Sequence, residues 1–382
     1  MTLPKILVTS AAGKTSFATT MQLLEKGYPV RAFVHRQSHR ADLLRKAGAE
    51  IFVGNMNDIR DVRKALRGVQ RAYYCPPFSP NNLYTNMIFA TAANDAHLET
   101  VTVLTQWFAH STHPSVITRE HWLTDEIMSW MPNVDVVTVN PALFADNYFY
   151  VLAMIAQLGI MPLPLGDGSS LNAPPSNEDI ARVAVGTLID PTTRIGKSYR
   201  PTGPELLSVI DMTGIFTKVL NRKVKYMEIP AKMFLKAGIA QGLPISQVAH
   251  LAHYYFDEHQ RNALTVNAPN DTVLEIGGRA PEDFETITRR YCAERPEAIQ
   301  TLGSKLKAMQ FFIKMLMTPA PDLDDYEQQQ DYPLIKGADY SSDSDEWLTT
   351  HDQQDETSSV SLHSTHQLAG RIDIDEMKVI MT

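Results

Sequence analysis

An apolar run at residues 5–10, KILVTS, is followed by Phe17, Met21 and Leu24, spaced by four and three, with Gly27 just beyond. The Ile-Leu-Val run fits a buried strand and the 4-3 spacing fits one face of a helix. Glycine stops helices where a residue without Cβ is favoured. The alternation then repeats. Strand-like runs stand at Val30–Val34, Glu50–Val53, Ala72–Cys75, Thr100–Leu104 and Val134–Val139, with helical stretches at 40–47, 59–66, 81–95 and 119–130 between them. Strands separated by helices of about ten residues predict a parallel, doubly wound α/β sheet. Six such steps within about 140 residues match the size of a dinucleotide-binding Rossmann sheet.

Helical stretches near 177–190, 204–220 and 230–260 predict a smaller, mostly helical cap over the carboxyl ends of the strands, where ligands of such sheets bind. The expected division is a nucleotide-binding domain at 1–150 and a cap at 151–320, with a return of the chain to the sheet left open. From Pro321 the text turns to DLDDYEQQQ, SSDSDE and DQQDETSSVS. A polar, acidic segment of this kind cannot offset its ordering entropy, so residues 321–382 are expected to be a disordered acidic tail that can engage a protein partner. Of the net charge of -8 those residues account for -12, which leaves about +4 on the first 320. A nearly neutral body lacks the basic face that nucleic-acid binding demands.

With 44% apolar and 20% charged residues the chain reads as an ordinary globular protein, and only Cys75 and Cys292 are present. Two distant cysteines suit a reducing compartment rather than a disulfide framework. The chain enters its first strand without the apolar core of a secretory leader. Its most apolar later stretch, Tyr148 to Leu165, is broken by Gln157, Gly159, Pro162 and Pro164. No membrane span and a cytoplasmic location are therefore expected.

The loop VTSAAGKTS at residues 8–16 ends like the phosphate loop of a nucleotide triphosphatase, but the slot of the first glycine holds Val8. The candidate strand ends carry Arg36, Asn55, Cys75 and Asn140 in place of a magnesium-binding Asp, so that reading fails. In the dinucleotide pattern G-x-x-G-x-x-G the three slots are Ser10, Gly13 and Ser16. Serine is small and its hydroxyl can donate to phosphate, and Lys14 adds a positive charge beside the pyrophosphate. The second strand ends at His35-Arg36-Gln37-Ser38-His39-Arg40. A carboxylate there selects a free ribose 2'-hydroxyl, whereas the Arg36 guanidinium suits a 2'-phosphate, which favours NADP over NAD.

These features resemble the NmrA-like family of atypical short-chain dehydrogenases, relatives of isoflavone-reductase-like enzymes. The likeness runs over about residues 3–290. It is carried by VTSAAGKTS, Arg36, VGNMND at 53–58, CPPFSPN at 75–81, TVNPALFADN at 138–147, GKSYRPTGPELLS at 196–208 and GRAPEDFE at 278–285. The resemblance implies an NADP-binding Rossmann domain with a small substrate cap, of the type found in fungal secondary metabolism. It places Ser10, Ala12, Gly13, Thr15 and Ser16 along the diphosphate and Arg36 at the 2'-phosphate. Asn55 and Met56 fall beside the adenine, and Cys75 and Pro76 near the ribose and nicotinamide. Asn55 stands where the family usually has Asp.

No tyrosine within residues 1–320 is followed four residues later by lysine, and the one Tyr-x-x-x-Lys, Tyr332 to Lys336, stands in the acidic C-terminal segment, so the usual short-chain dehydrogenase acid pair is absent from the expected sheet and cap. Relatives with a catalytic lysine on the helix written here TREHWLTDE align it at His121 or Trp122. His121 is the candidate proton donor, with Glu120 or Asp125 as neighbours. Trp107 at a strand exit is a candidate for stacking on an aromatic substrate. Asn147, and Tyr148 or Tyr150, are candidates to face the ligand. His110 and His113 lack the partners of a metal site, and no metal is expected. The leading functional expectation is NADP-dependent hydride transfer to or from a small metabolite of aromatic or polyketide type. The rivals are a cofactor-binding sensor without turnover and a non-redox isomerase or cyclase on the same fold.

Overall fold

The structure is a computed structural model that describes residues 3–77, 79, 81–253, 258–330, 335–351 and, as backbone alone, 359–361. Its first half is the alternation read above: β1 (Ile6–Val8), α1 (Lys14–Glu25), β2 (Val30–Val34), α2 (His39–Lys46), β3 (Glu50–Val53), α3 (Ile59–Leu66), β4 (Arg71–Tyr74), α4 (Asn82–Asp95), β5 (Thr100–Leu104), α5 (Val116–Ser129) and β6 (Asp135–Val139). All of these strand pairings are parallel, in the order β3-β2-β1-β4-β5-β6. The order reverses between β1 and β4, and a ligand crevice opens at that switch point. Helices α2, α3 and α5 begin on side-chain caps: Ser38, Asp58 and Ser115 each accept from a backbone N–H of the first turn.

The chain then enters the cap through α6 (Ala145–Tyr148), α7 (Leu152–Leu158), β7 (Ile160–Leu163) and β8 (Leu171–Asn172), and returns to the sheet as α8 (Asn177–Ile189) and β9 (Lys197–Tyr199). β9 adds a seventh parallel strand beside β6, with Thr138 opposite Ser198. Helix α8, expected in the cap, instead covers the sheet face beside α1, with Ile180, Val183, Ala184 and Leu188 in the same buried cluster as β1 and β2. Hydrophobic periodicity reports that a helix has a buried face, not which layer buries it.

The remaining elements are β10 (Leu207–Ser208), α9 (Val209–Leu220), β11 (Lys225–Glu228), α10 (Ala231–Gln241), α11 (Ile245–Ala252), α12 (Thr272–Gly277), α13 (Phe284–Glu294) and α14 (Leu302–Met317). Helix α12 belongs with α8. A Cβ on Gly186 would stand 2.1 Å from the Ile276 carbonyl oxygen, so only glycine admits that approach. The cap is mostly helical, with two small sheets, β7 with β11 and β8 with β10. Its core joins Phe149, Phe216, Phe284 and Tyr291 to Trp107 and Phe108 from the exit of β5.

The expected tail needs correction up to residue 351. Helices α15 (Leu323–Gln329) and α16 (Asp345–His351) are formed, and Trp347 is 1% exposed against Trp107, whose backbone oxygen accepts from Trp347 Nε1 at 2.9 Å. The backbone of β12 (Ser359–Ser361) pairs antiparallel with β9 at the sheet edge. Composition averages over the segment conceal that one indole burying roughly 150–250 Å² at ~25 cal/mol per Å² supplies roughly 4–6 kcal/mol toward ordering its neighbours. Residues 331–334, 352–358 and 362–382, also assigned to the tail, lie outside the described residues.

Candidate functional site

A cavity of about 520 Å³ opens at the carboxyl ends of β1, β4, β5 and β6, beneath α11 and the α6 segment. One end is the loop between β1 and α1. Ser10 takes φ +49, a conformation that the glycine normally in this slot adopts without cost, and its Oγ donates to the Cys75 carbonyl at 2.9 Å. Thr9 Oγ1 accepts from the Cys75 N–H at 2.9 Å, so the exits of β1 and β4 are laced together. Gly13, the N-cap of α1, supplies no side chain to the first-turn amides, and a Cβ there would sit 3.0 Å from the Ser10 carbonyl oxygen. Ser16 Oγ is buried with no hydrogen-bond partner. An uncapped helix N-terminus beside a spare hydroxyl fits the diphosphate of a dinucleotide.

Of the residues expected to hold that cofactor, Gly13, Lys14, Thr15 and Pro76 line the cavity. Ser10, Ala12 and Cys75 are half-buried and Ser16 is buried, outside the cavity lining, and burial pushes the Cys75 thiol up, which suits a small core side chain. Arg36 and Asn55 are exposed at the exits of β2 and β3. Met56, half-buried, packs against the neighbouring core cluster. Lys14 does more than wait for phosphate. Its Nζ pairs with Asp146, which Arg295 also binds, and lies 5.2 Å from the Tyr150 ring centroid. One carboxylate thus ties the β1 loop to the cap. Arg40 stacks on Phe17 at 4.5 Å and feels Asp146 and Glu178.

The other end of the cavity is polar on an apolar background. His121, Thr105, Gln106, His250 and Asn147 face it, with Leu104, Ile117, Leu143 and Leu251 around them. Burial lowers His121 to about 4, so its imidazole is neutral at pH 7, and its Nδ1 has no hydrogen-bond partner. His250 is lowered as well, first by burial and then by His121, His253 and His113; its Nε2 is 3.3 Å from Gln106 Nε2. One turn along α5 from His121, burial raises the Asp125 carboxyl to about 8. Its Oδ2 accepts from Thr105 Oγ1 at 2.8 Å, while its Oδ1 is sealed from solvent without a partner. Glu120, raised by burial to about 7, is absent from the cavity lining.

Two expected substrate contacts are corrected. Trp107 is 1% exposed, sandwiched between Trp347 and the Arg200 guanidinium at 4.2 Å, and Tyr148 is fully buried with its hydroxyl 2.9 Å from His259 Nε2. Neither reaches the cavity. Tyr150, the alternative to Tyr148, and Asn147 do line it. Thr105, Gln106, Asp146 and His250 were not singled out from the sequence as contacts. The position of Thr105 at a strand exit was the one local signal for any of them.

Residues 3–101 match the model of the NmrA-like family. The chain is 26% identical over 298 residues to an NAD(P)H azoreductase of Xenophilus azovorans, a match covering 75% of this chain and 98% of that protein. Among solved structures, the triphenylmethane reductase of Citrobacter sp. complexed with NADP(H) superposes with a TM-score of 0.63 at 20% identity, covering 75% of this chain and 99% of that one. NmrA, a negative transcriptional regulator solved with NADP, gives 0.60 at 15% identity, covering 78% and 100%.

Proposed function

We propose that this NmrA-like chain is an NADP-dependent oxidoreductase that moves hydride to or from a small organic molecule of aromatic or polyketide type. One observation carries the reading: a single cavity has an uncapped helix N-terminus at one end and an uncharged imidazole with hydroxyl and amide groups at the other. The first-turn amides of α1 with Ser10 and Ser16 would hold the diphosphate, and Arg36 the 2'-phosphate. Reduced NADP supplies hydride when bound. Leu104, Ile117, Leu143 and Leu251 exclude water from the acceptor. Neutral His121 donates a hydrogen bond to the acceptor atom, which polarises it without bringing a second charge into an apolar pocket. Asn147 and Tyr150 face the same space from the cap. The azoreductase relative and the triphenylmethane reductase neighbour are named for reducing conjugated aromatic molecules, which supports an acceptor of that class.

Cofactor binding is tested by nicotinamide fluorescence with NADPH and NADH. Arg36→Ala is expected to weaken NADPH roughly 10–100-fold, about 1.4–2.8 kcal/mol, and to leave NADH unchanged; equal losses for both would remove the preference for NADP. Consumption of NADPH with quinones, azo dyes or aromatic ketones tests turnover. The second reading, a cofactor sensor without turnover, is favoured by the lack of a Tyr-x-x-x-Lys pair within residues 1–320 and by the likeness to the NmrA regulator. Binding without consumption across those acceptors would select it.

A further inference from the structure

We propose that Thr105 is the group that protonates the acceptor, and that Asp125 behind it is the proton store that reloads the Thr105 hydroxyl; this rests on the hydride-transfer reading above. Reduction of a carbonyl or quinone needs a proton as well as a hydride, and neither the expected donor His121 nor the other titratable groups close to it are suited to give one. His121 carries no spare proton near neutrality. Lys14 is committed to Asp146, and burial raises the Tyr150 hydroxyl above its ordinary range. Glu120 does not reach the cavity.

Thr105 does. It stands at the carboxyl exit of β5, its N–H fixed on the Val139 oxygen at 3.0 Å, and it forms part of the cavity wall together with His121. Its hydroxyl has one hydrogen and two lone pairs. The 2.8 Å contact to Asp125 Oδ2 works in either direction: an ionised Asp125 accepts from Thr105, whereas a protonated Asp125 donates to it and frees the Thr105 hydrogen for the cavity. The surroundings favour the protonated form. Oδ1 is sealed without a partner, a costly arrangement for an ionised carboxylate. The one charged neighbour acting on Asp125 among the described residues is Glu126, next along α5, which pushes the same way; no described arginine or lysine pairs with it. His121, one turn earlier on α5, is neutral, and Thr105 brings no charge from β5.

The step balances. Hydride bonds to the acceptor carbon as the carbonyl π pair moves onto oxygen. That oxygen takes the Thr105 hydroxyl proton while Thr105 Oγ1 takes the Asp125 carboxyl proton, leaving a carboxylate. When product leaves and water enters the cavity, a proton returns from solvent through the same hydroxyl. The cofactor is oxidised by two electrons and the acceptor reduced by two.

The test compares wild type, Asp125→Asn, Thr105→Val and Thr105→Ser with NADPH and 9,10-phenanthrenequinone. Fluorescence should show NADPH binding within about twofold in all four. Turnover should fall on the order of 100-fold in Thr105→Val and Asp125→Asn with little change in KM, and Thr105→Ser should recover most of it. The wild-type rate should decline above about pH 8, and Asp125→Asn should lose that limb. Independently of turnover, the cofactor-free protein at pH 7 should show the infrared band of a protonated buried carboxyl, missing in Asp125→Asn. Normal NADPH binding with an unchanged rate and pH limb in Asp125→Asn would overturn the relay alone, as would absence of the infrared band. A role in anchoring α5 to β5 would lower the melting temperature and leave the pH limb, which also overturns it. Wild-type protein that binds NADPH but consumes none would sink the hydride reading and the relay together.

Discussion

The loops after β1 and after β5 both feed the cavity, but they are built differently. The β1 loop is held mostly by backbone and adjacent strands: Gly13 N–H to Ser10 oxygen, a positive φ at Ser10, Ala11 N–H to Phe33 oxygen and the lacing of Thr9 and Ser10 to Cys75, with Lys14 reaching Asp146 of the cap from its end. The loop from Thr105 to Ser115 is held by groups from far along the chain. Trp347 covers Trp107, Asp339 and Ser341 reach His110, and Glu258 accepts from both His113 Nε2 at 3.0 Å and the Ser341 N–H at 2.8 Å. One loop depends on backbone conformation, the other on distant side chains. Each should fail to a different insult.

The largest expected effect is on the β5 side. Trp347→Ala should cost about 3–5 kcal/mol in denaturant unfolding, and hydrogen exchange should open amides near Trp107 while those of residues 9–16 stay protected. Equal opening of both loops would erase the distinction. Acidification comes next. His121, His259 and His351, each lowered to about 4 by burial, take up protons in the unfolded chain first, so their contribution is lost as pH falls from about 6.5 to 4. Asp125 and Glu120, raised in the fold, work the other way over that range. With His250 there are four such histidines against these two carboxyls and Glu327, which burial also raises, and a net of one group gives about 1.4 kcal/mol per pH unit. A melting temperature flat between those limits would contradict the assignment. The smallest effect belongs to the β1 loop. Ser10→Val puts a β-branched residue at φ +49 and removes the bond to Cys75, for a loss of about 1–2 kcal/mol with weaker NADPH binding.

The same contrast explains what could be read beforehand. Strands β2, β3 and β5 fall at the residues predicted, because each is a short stretch rich in β-branched or aromatic residues, and β2 and β3 follow turns at Gly27 and Gly48. The cavity positions reached from sequence, Gly13, Lys14, Thr15, Pro76, His121 and Asn147, follow from a strand-loop-helix pattern or from family alignment. Trp107 and Tyr148 misled because a place near a strand exit does not say which way a ring turns. Tyr148 and Tyr150 are two residues apart, and only the second faces the cavity. The partners that bury Trp107, namely Arg200 and Trp347, lie far along the chain, beyond the reach of periodicity.

The cover over Trp107 also sets a clock on biosynthesis. Its partner Trp347 is 240 residues further on, so at roughly 5–20 residues per second the ribosome needs about 12–48 seconds to make the lid for an indole already emerging. During that interval the nascent chain presents a large apolar ring at the mouth of a half-built sheet, a natural handle for chaperones.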